Sequence, residues 1–229
     1  VVSNDWEKFQ IAFSYDNKNW KRLPTKVNQK KRTIKWDVTP THNTIWFAYY
    51  PPYPFSRSRK LLPNMKTIGR TKDGNPMLMT TLGTGPIKVW LISGQHPGET
   101  IHSWILEGFV RRIKEIGAEK RNKLFEKYTF YIVPNANPDG NQRGNWYVTS
   151  QGINMNRDWL KGKTKSPEVK AIKKQLEKYG HYLVFDIHGD EGATGHFLTS
   201  GHSYTHPQEK ELNKQLNKRN KYFQKRDHY

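Results

Sequence analysis

The chain has 229 residues, of which 39 are Lys or Arg and 20 are Asp or Glu, so its formal charge at pH 7 is +19. No apolar run approaches the roughly 20 residues that a membrane-spanning helix needs, and we therefore expect no membrane segment. The absence of cysteine excludes a disulfide scaffold, a thiol nucleophile and a thiolate metal site. A length of 229 residues suits one large domain or two smaller ones.

The charge alone would suit several acidic partners, including nucleic acid, an anionic membrane or an acidic protein tail. A plain alternative is a lysine-rich protein with well-solvated helices. The basic residues are spread along the chain, and no RNP-type motif, zinc finger or basic zipper accompanies them. We therefore expect no dedicated nucleic-acid binding and favour an acidic substrate.

Residues 1–50 have the pattern of an all-β region. Aromatic residues stand in short stretches, and Ile34, Trp36 and Val38 alternate with polar residues, as in a strand with one buried face. The string Tyr50-Pro51-Pro52-Tyr53-Pro54 breaks regular structure. It predicts a domain boundary that separates residues 1–54 from residues 55–229.

The second part of the chain alternates strands with helices. The Asp73-Gly74 turn predicts a hairpin over residues 66–83. Three continuous apolar strands follow, at 87–92, 128–133 and 182–187. Helices are predicted at 99–116, 166–180 and 207–223, the first with Ile101, Ile105, Phe109, Ile113 and Ile116 on its buried face. This alternation predicts an α/β fold with a mixed, largely parallel sheet and helices on both faces.

Polar residues with chemical potential follow the three apolar strands. In a parallel sheet, sites form outside the carboxyl ends of the strands. His96 and Glu99 stand three apart at a strand-to-helix turn, and His188 follows the third strand. Two His and one carboxylate, with a position left for water, are the ligands of a catalytic zinc ion. We expect the other seven histidines to be surface or packing residues.

The sequence resembles the M14 family of zinc metallocarboxypeptidases, and within it the cytosolic carboxypeptidase branch. The resemblance covers roughly residues 45–200 by motif order. Five motifs carry it: Phe47-Ala48-Tyr49-Tyr50-Pro51-Pro52-Tyr53-Pro54-Phe55-Ser56, His96-Pro97-Gly98-Glu99, Asn137-Pro138-Asp139-Gly140, Asn154-Met155-Asn156-Arg157 and Asp186-Ile187-His188-Gly189-Asp190-Glu191. It implies a small antiparallel β-sandwich domain before a carboxypeptidase-like catalytic domain, one Zn²⁺ per chain, a cytoplasmic location and removal of the C-terminal residue from peptide or protein tails, which the charge would favour as acidic.

The resemblance also assigns roles to the residues after the second strand. Asn156 and Arg157 would bind the α-carboxylate of the substrate, a role that suits the two-pronged guanidinium group. Asn154 falls where many relatives have an Asp that hydrogen-bonds a zinc histidine. An Asn can still accept from the ring N–H, but it brings no charge.

Two departures from the family pattern affect catalysis. Relatives carry an oxyanion-stabilising arginine at the position of Tyr147, and Arg143 lies four residues earlier, so either side chain is a candidate for that role. The general-base Glu of the family lies several tens of residues beyond the second zinc His. We expect it beyond Tyr229, with the catalytic domain incomplete at its C-terminus.

Three other functions remain open. An amide hydrolase or deacylase on the same scaffold would use the same metal ligands. A catalytically impaired peptide-binding pseudo-enzyme would keep the zinc and the carboxylate-binding residues but not the turnover. A basic nucleic-acid binder would show a steep dependence of binding on salt.

Overall fold

The N-terminal region is built from short antiparallel strands. The computed structural model describes residues 9–160, 162–190, 198 and 207–223. One sheet has the order β2-β1-β5 and a second pairs β3 with β4, which confirms the all-β prediction for the described part of this region. Its strands are β1 (Gln10–Ser14), β2 (Lys21–Pro24), β3 (Lys26–Asn28), β4 (Thr33–Lys35) and β5 (Trp46–Ala48).

The central sheet has five strands and is mixed, as predicted. Its order is β10-β8-β9-β7-β6. Strands β10, β8 and β9 run parallel to one another. The β6–β7 hairpin pairs with β9 through β7 in the antiparallel sense. The bounds are β6 (Lys66–Arg70), β7 (Pro76–Leu82), β8 (Ile87–Ser93), β9 (Tyr128–Val133) and β10 (Leu183–Ile187).

Six helices connect or flank these strands in the described part of the chain. The Ser166 side chain caps one of them by accepting from the N–H of Val169, and Gly180 with φ of 70° ends it, as the sequence predicts. None of the described helices has the length and apolar character to cross a membrane. The bounds are α1 (Phe55–Ser58), α2 (Ile101–Glu115), α3 (Ala118–Lys127), α4 (Pro138–Arg143), α5 (Pro167–Tyr179) and α6 (Pro207–Arg219).

The core lies on both faces of the sheet. Alternate side chains of β8 point to opposite faces, with Trp90 in one cluster and Leu91 in the other. Val169 of α5 packs in the first cluster and Leu106 of α2 in the second. The prediction of helices on both faces is therefore confirmed.

The predicted buried face of α2 is partly wrong. Ile101 and Ile105 are 39% and 42% exposed, whereas Leu106, Val110 and Ile113 are buried. Steps of four residues overshoot a full turn of an α-helix by about 40°, so a stripe built on that spacing rotates away from the core. The helix buries the face one residue further along, and Ile101 instead lies beside the loop that follows β10.

The segment between the two parts of the chain is fixed to α2. The carbonyl of Pro51 accepts hydrogen bonds from the Thr100 hydroxyl at 2.9 Å and the Trp104 indole at 3.3 Å. The buried Tyr53 donates its hydroxyl to Glu107 at 2.7 Å. These bonds hold the proline-rich segment against the first turns of the helix that follows the His96–Glu99 turn.

Candidate metal centre

The two loops with the predicted ligands meet at one edge of the sheet because β8 and β10 are parallel neighbours. Ile187 pairs with Ser93 at the carboxyl ends of these strands. The turn after β8 closes when the Glu99 N–H bonds the carbonyl of His96. Gly98 in this turn donates to the Trp146 carbonyl at 3.0 Å, and a Cβ there would lie 2.4 Å from the Trp146 ring, so glycine is required.

The three predicted metal ligands converge. Their ligand atoms, one from each of His96, Glu99 and His188, all lie within 4.8 Å of one another. The two oxygens of Glu99 face the two imidazoles, at 2.7 Å from His96 Nδ1 and 2.9 Å from His188 Nδ1. The backbone N–H of Gly189 also donates to Glu99 at 2.9 Å. The Nδ1 atoms and the carboxylate therefore point at a common centre.

The outward nitrogen of each imidazole has its own partner. His96 Nε2 lies 3.1 Å from Asn154 Oδ1, and His188 Nε2 lies 2.9 Å from Asp186 Oδ2. An acceptor on Nε2 holds the proton there, which leaves Nδ1 with a free electron pair for a metal. Sequence reasoning anticipated the contact of Asn154 but gave no role to Asp186. The Asp-x-His spacing could have indicated this contact of Asp186, because residues two apart on a strand face the same side.

Electrostatics within the cluster favour opposite charges on its members. Burial alone would raise the pKa of Glu99, but hydrogen bonds with His188 and His96 outweigh burial and lower that pKa to about 2. Burial alone would lower the pKa of His188, but hydrogen bonds to Asp186 and Glu99 raise it to about 10. The carboxylate is thus ionised, and a cation at the centre would replace the proton that the His188 imidazole holds toward it.

The donor set fits zinc. Two imidazole nitrogens and one carboxylate, each imidazole with an outer hydrogen-bond partner, form the ligand chemistry of catalytic zinc sites. His96, Glu99 and His188 would hold the ion. No thiolate competes for it, because the chain has no cysteine.

The candidate carboxylate-binding residues lie next to the same cluster. They belong to a short 3-10 helix, Met155–Arg157, which Asn154 caps by accepting from the Asn156 N–H at 3.0 Å. The exposed Arg157 bonds the carbonyl of Asn156 and has no carboxylate partner among the described residues. Asp158 anchors the far side of this helix by accepting from the backbone of the loop before α5. An exposed guanidinium group without a carboxylate partner among the described residues thus lies three residues after Asn154, the partner of His96.

The two candidates for oxyanion stabilisation have different surroundings. The Tyr147 ring packs edge-on against His96, with ring centroids 4.8 Å apart at 79°. The Arg143 guanidinium instead pairs with Asp73, at 2.7 Å from Nη2 and 2.9 Å from Nε. The structure therefore brings Tyr147, and not Arg143, into contact with the cluster.

The remaining histidines fall into two groups. His102 is fully buried, and burial lowers its pKa to about 4. Its Nδ1 lies 3.0 Å from the Ser93 hydroxyl and 2.8 Å from that of Ser103, so it is a neutral packing residue. His42 packs against Tyr15, at 4.5 Å between ring centroids, and His181 is exposed. Four others lie outside the described residues: His196, His202, His206 and His228.

A mixed sheet with a His, Glu, His cluster at the carboxyl ends of its parallel strands is typical of a metal-dependent hydrolase with an α/β fold. The profile of the zinc carboxypeptidase family matches residues 56–223, and that of the cytosolic carboxypeptidase N-terminal domain matches residues 1–50. The chain belongs to the zinc carboxypeptidase family. The predicted boundary at residue 54 lies between the two matched ranges.

Similar proteins support this membership. A protein of Zymomonas mobilis without an assigned function is 35% identical over 202 residues, which cover 84% of this chain and 53% of that protein. Cytosolic carboxypeptidase 3 of Mus musculus is 27% identical over 210 residues, 76% of this chain and 21% of that protein. The chain therefore spans about half or less of the length of these relatives.

Solved structures agree in fold. A metallo-carboxypeptidase from Pseudomonas aeruginosa, in complex with (2-guanidinoethylmercapto)succinic acid, has a TM-score of 0.89 and 29% identity, covering 100% of this chain and 65% of that one. A metallo-carboxypeptidase from Burkholderia cenocepacia has a TM-score of 0.85 and 34% identity, covering 98% of this chain and 65% of that one. The resemblance to the family and to its cytosolic branch is confirmed.

Proposed function

We propose that this chain carries the zinc-binding and carboxylate-binding parts of a metallocarboxypeptidase that removes the C-terminal residue of a peptide or protein tail. The convergence of His96, Glu99 and His188 supports the metal assignment. Arg157 is exposed, lies three residues after the Asn154 that contacts His96, and has no carboxylate partner among the described residues, which supports the binding of a terminal carboxylate. A cytoplasmic location is proposed from the similarity to cytosolic carboxypeptidases.

Zinc bound at this centre would supply a Lewis acid for the scissile carbonyl and for the attacking water. Arg157 and Asn156 would hold the substrate's α-carboxylate and so fix the register of the last peptide bond. The Tyr147 hydroxyl would donate to the carbonyl oxygen as it gains negative charge. Removal of a proton from water needs a base, and the glutamate expected beyond Tyr229 remains a prediction.

We further propose acidic, glutamate-rich tails as substrates. A cavity of about 760 Å³ adjoins the metal-binding turn, with Tyr49, Tyr50 and Trp146 among its lining side chains. Arg59 also lines it, and no Asp or Glu does among the described residues. Pro97 and Gly98, the two residues between the ligands of the turn, form part of its wall. A chain that extends from the centre into this cavity would meet its aromatic side chains and Arg59, and the net charge of +19 attracts acidic tails over a longer range.

Zinc content and peptide binding together test the proposal. We expect one Zn²⁺ per chain by elemental analysis, lost in His188→Ala. A peptide with a free C-terminus should bind at least tenfold more tightly than its C-terminal amide, because the amide cannot form the charged pair with Arg157. Arg157→Gln should remove that difference, whereas the control Arg112→Gln, an exposed arginine of α2, should keep it.

Cleavage is measured on the same peptides by mass spectrometry, with and without a chelator. Loss of single C-terminal residues that stops with the chelator is the expected result. Equal binding of acid and amide, or a wild-type protein without zinc, would overturn the proposal.

The pseudo-enzyme alternative has one observation in its favour, which is Tyr147 at the position of the family's arginine. It predicts that a zinc-loaded protein discriminates acid from amide but releases no residue. The amide-hydrolase alternative instead predicts that the protein hydrolyses acylated amino acids and does not require a peptide.

A further inference from the structure

Gln95 is a buried amide at the end of β8 whose two ends are both engaged. The residue is only 1% exposed. Its Nε2 donates to Asp186 Oδ2 at 2.6 Å, and its Oε1 accepts from the Trp159 indole at 2.7 Å. An indole N–H can only donate and a carboxylate can only accept, so the two neighbours fix the orientation of the amide.

The two neighbours of Gln95 belong to different parts of the candidate site. Asp186 accepts from His188 through the same oxygen, Oδ2, that Gln95 contacts. Trp159 follows Arg157 by two residues, and its carbonyl is fixed by the Lys173 ammonium at 3.1 Å. A continuous chain of hydrogen bonds therefore runs from Trp159 through Gln95 and Asp186 to His188.

The two histidine ligands differ in how firmly they are held. The His96 side chain is 9% exposed, while those of His188 and Asp186 are 25% and 34% exposed. A partly exposed carboxylate can rotate toward water and release its histidine. A second donor on the same oxygen restrains that rotation.

We propose that Gln95 is a positioning residue that holds Asp186, and through it the His188 imidazole, in the orientation that aims Nδ1 at the metal. It does not contact the substrate or the ion. The bond from Trp159 fixes the other end of the amide and connects the segment that carries Arg157 to the metal ligand. This inference depends on the metal assignment of the proposed function.

Zinc affinity, measured by competition with a chromophoric chelator, is the first test. Gln95→Leu removes both hydrogen bonds and keeps much of the side-chain volume. We expect the dissociation constant for zinc to rise about 10-fold, at the low end of the 10- to 100-fold cost of losing the direct outer partner of a metal ligand, because Gln95 acts through Asp186. The matched control is Gln142→Leu. Gln142 is an exposed amide of α4 that donates a hydrogen bond to Asn75. It should leave zinc affinity unchanged.

A double-mutant cycle with Asp186→Ala separates positioning from simple packing. If Gln95 acts through Asp186, then Gln95→Leu should raise the dissociation constant less than twofold in the Asp186→Ala background. An equal loss of affinity in both backgrounds would overturn the proposal, since a packing defect does not depend on Asp186. Thermal unfolding of the metal-free variants checks that each one folds.

If Gln95→Leu does not fold, Trp159→Phe takes its place, since it removes the indole N–H and keeps an aromatic ring. It should weaken zinc binding by about three- to tenfold in the wild-type background and by less than twofold with Asp186→Ala. No change in either background would overturn the proposal. A wild-type protein that binds no zinc would instead overturn the metal assignment, so the two failures are distinguishable.

Discussion

The two histidines of the candidate metal centre are supported by different chemistry. His96 has a neutral partner, Asn154, and His188 has a charged one, Asp186. A carboxylate raises the basicity of the imidazole it holds, whereas an amide mainly fixes its orientation. The His96 side chain is more deeply buried than that of His188, and the Tyr147 ring packs edge-on against it.

Tyr147 is expected to contribute to catalysis through its hydroxyl. Tyr147→Phe keeps the ring that packs on His96 and removes the donor. If this hydroxyl stabilises the developing oxyanion, kcat should fall by about 10²-fold while KM and zinc affinity stay within about twofold. Steady-state kinetics on a peptide with a free C-terminus measure the change in a protein that shows chelator-sensitive cleavage.

Arg143→Met is the comparison for Tyr147→Phe. The Arg143 guanidinium is occupied by Asp73, so its removal should change kcat by less than about threefold, although the lost ion pair lowers stability slightly. A larger loss of kcat in Arg143→Met than in Tyr147→Phe would contradict this assignment and favour the arginine.

At the scale of elements, the sequence predicts what is buried better than what is exposed. The three parallel strands and α5 were predicted because continuous apolar runs and a Ser cap with a terminal Gly are strong local signals. Helix α3 was missed because it buries none of its side chains, so it has no apolar stripe to detect. Helix α6 was predicted to reach residue 223 but ends at Arg219.

The candidate site was predictable for a similar reason. Ligands that leave parallel strands at the same edge are placed by topology, and their residue types stand out in the sequence. The pairing of Arg143 with Asp73 and the link from Gln95 to Asp186 were not predictable, because they join residues 70 and 91 positions apart through side-chain geometry alone.

Helix α5 contains a buried carboxyl group that should destabilise the fold at neutral pH. Glu168 is 1% exposed, and its two oxygens have no hydrogen-bond partner among the described residues. Burial, with the nearby charge of Asp139, raises its pKa to about 6 from an ordinary value of 4.5. The folded state therefore binds this proton more tightly than the unfolded state. The resulting stability is complete below pH 4.5 and is lost as the pH rises through 6.

Glu168→Gln should therefore stabilise the protein at pH 8 by about 1–2 kcal/mol relative to wild type, and by progressively less toward pH 4.5. Urea unfolding at several pH values measures this difference. Comparison of the two proteins cancels the effects of other carboxyl groups that titrate in the same range. The control is Glu177→Gln, which alters an exposed position on the same helix. A stability difference that is constant with pH would show that Glu168 does not titrate as expected.

At the scale of the whole molecule, the end of the N-terminal region contacts the second part of the chain beside the His96–Glu99 turn. The Trp146 carbonyl accepts a hydrogen bond from the Gly98 N–H of that turn, and the Trp146 ring contacts Tyr49 and Tyr50 from the N-terminal side. The hydrogen bonds of Pro51 and Tyr53 fix the same segment to α2. The N-terminal region thus contributes aromatic side chains to the wall of a cavity that residues 55–229 alone would leave incomplete.

The net charge of the chain and the Arg59 side chain of this cavity make separate predictions about acidic substrates. Long-range attraction is screened by salt, since the Debye length falls from about 10 Å at 0.1 M to 3 Å at 1 M. We expect the dissociation constant of a peptide ending in three glutamates to rise about tenfold between 0.05 and 0.5 M salt. The dissociation constant of a peptide with uncharged residues before its free C-terminus should change by less than about threefold, because only its terminal carboxylate is charged.

Arg59→Gln should weaken binding of the glutamate peptide alone at low salt, since Arg59 lies within the cavity. Arg112→Gln should affect the binding of neither peptide. If salt and Arg59→Gln weaken both peptides equally, the charge serves the terminal carboxylate and not an acidic tail, and the proposed preference for glutamate is wrong.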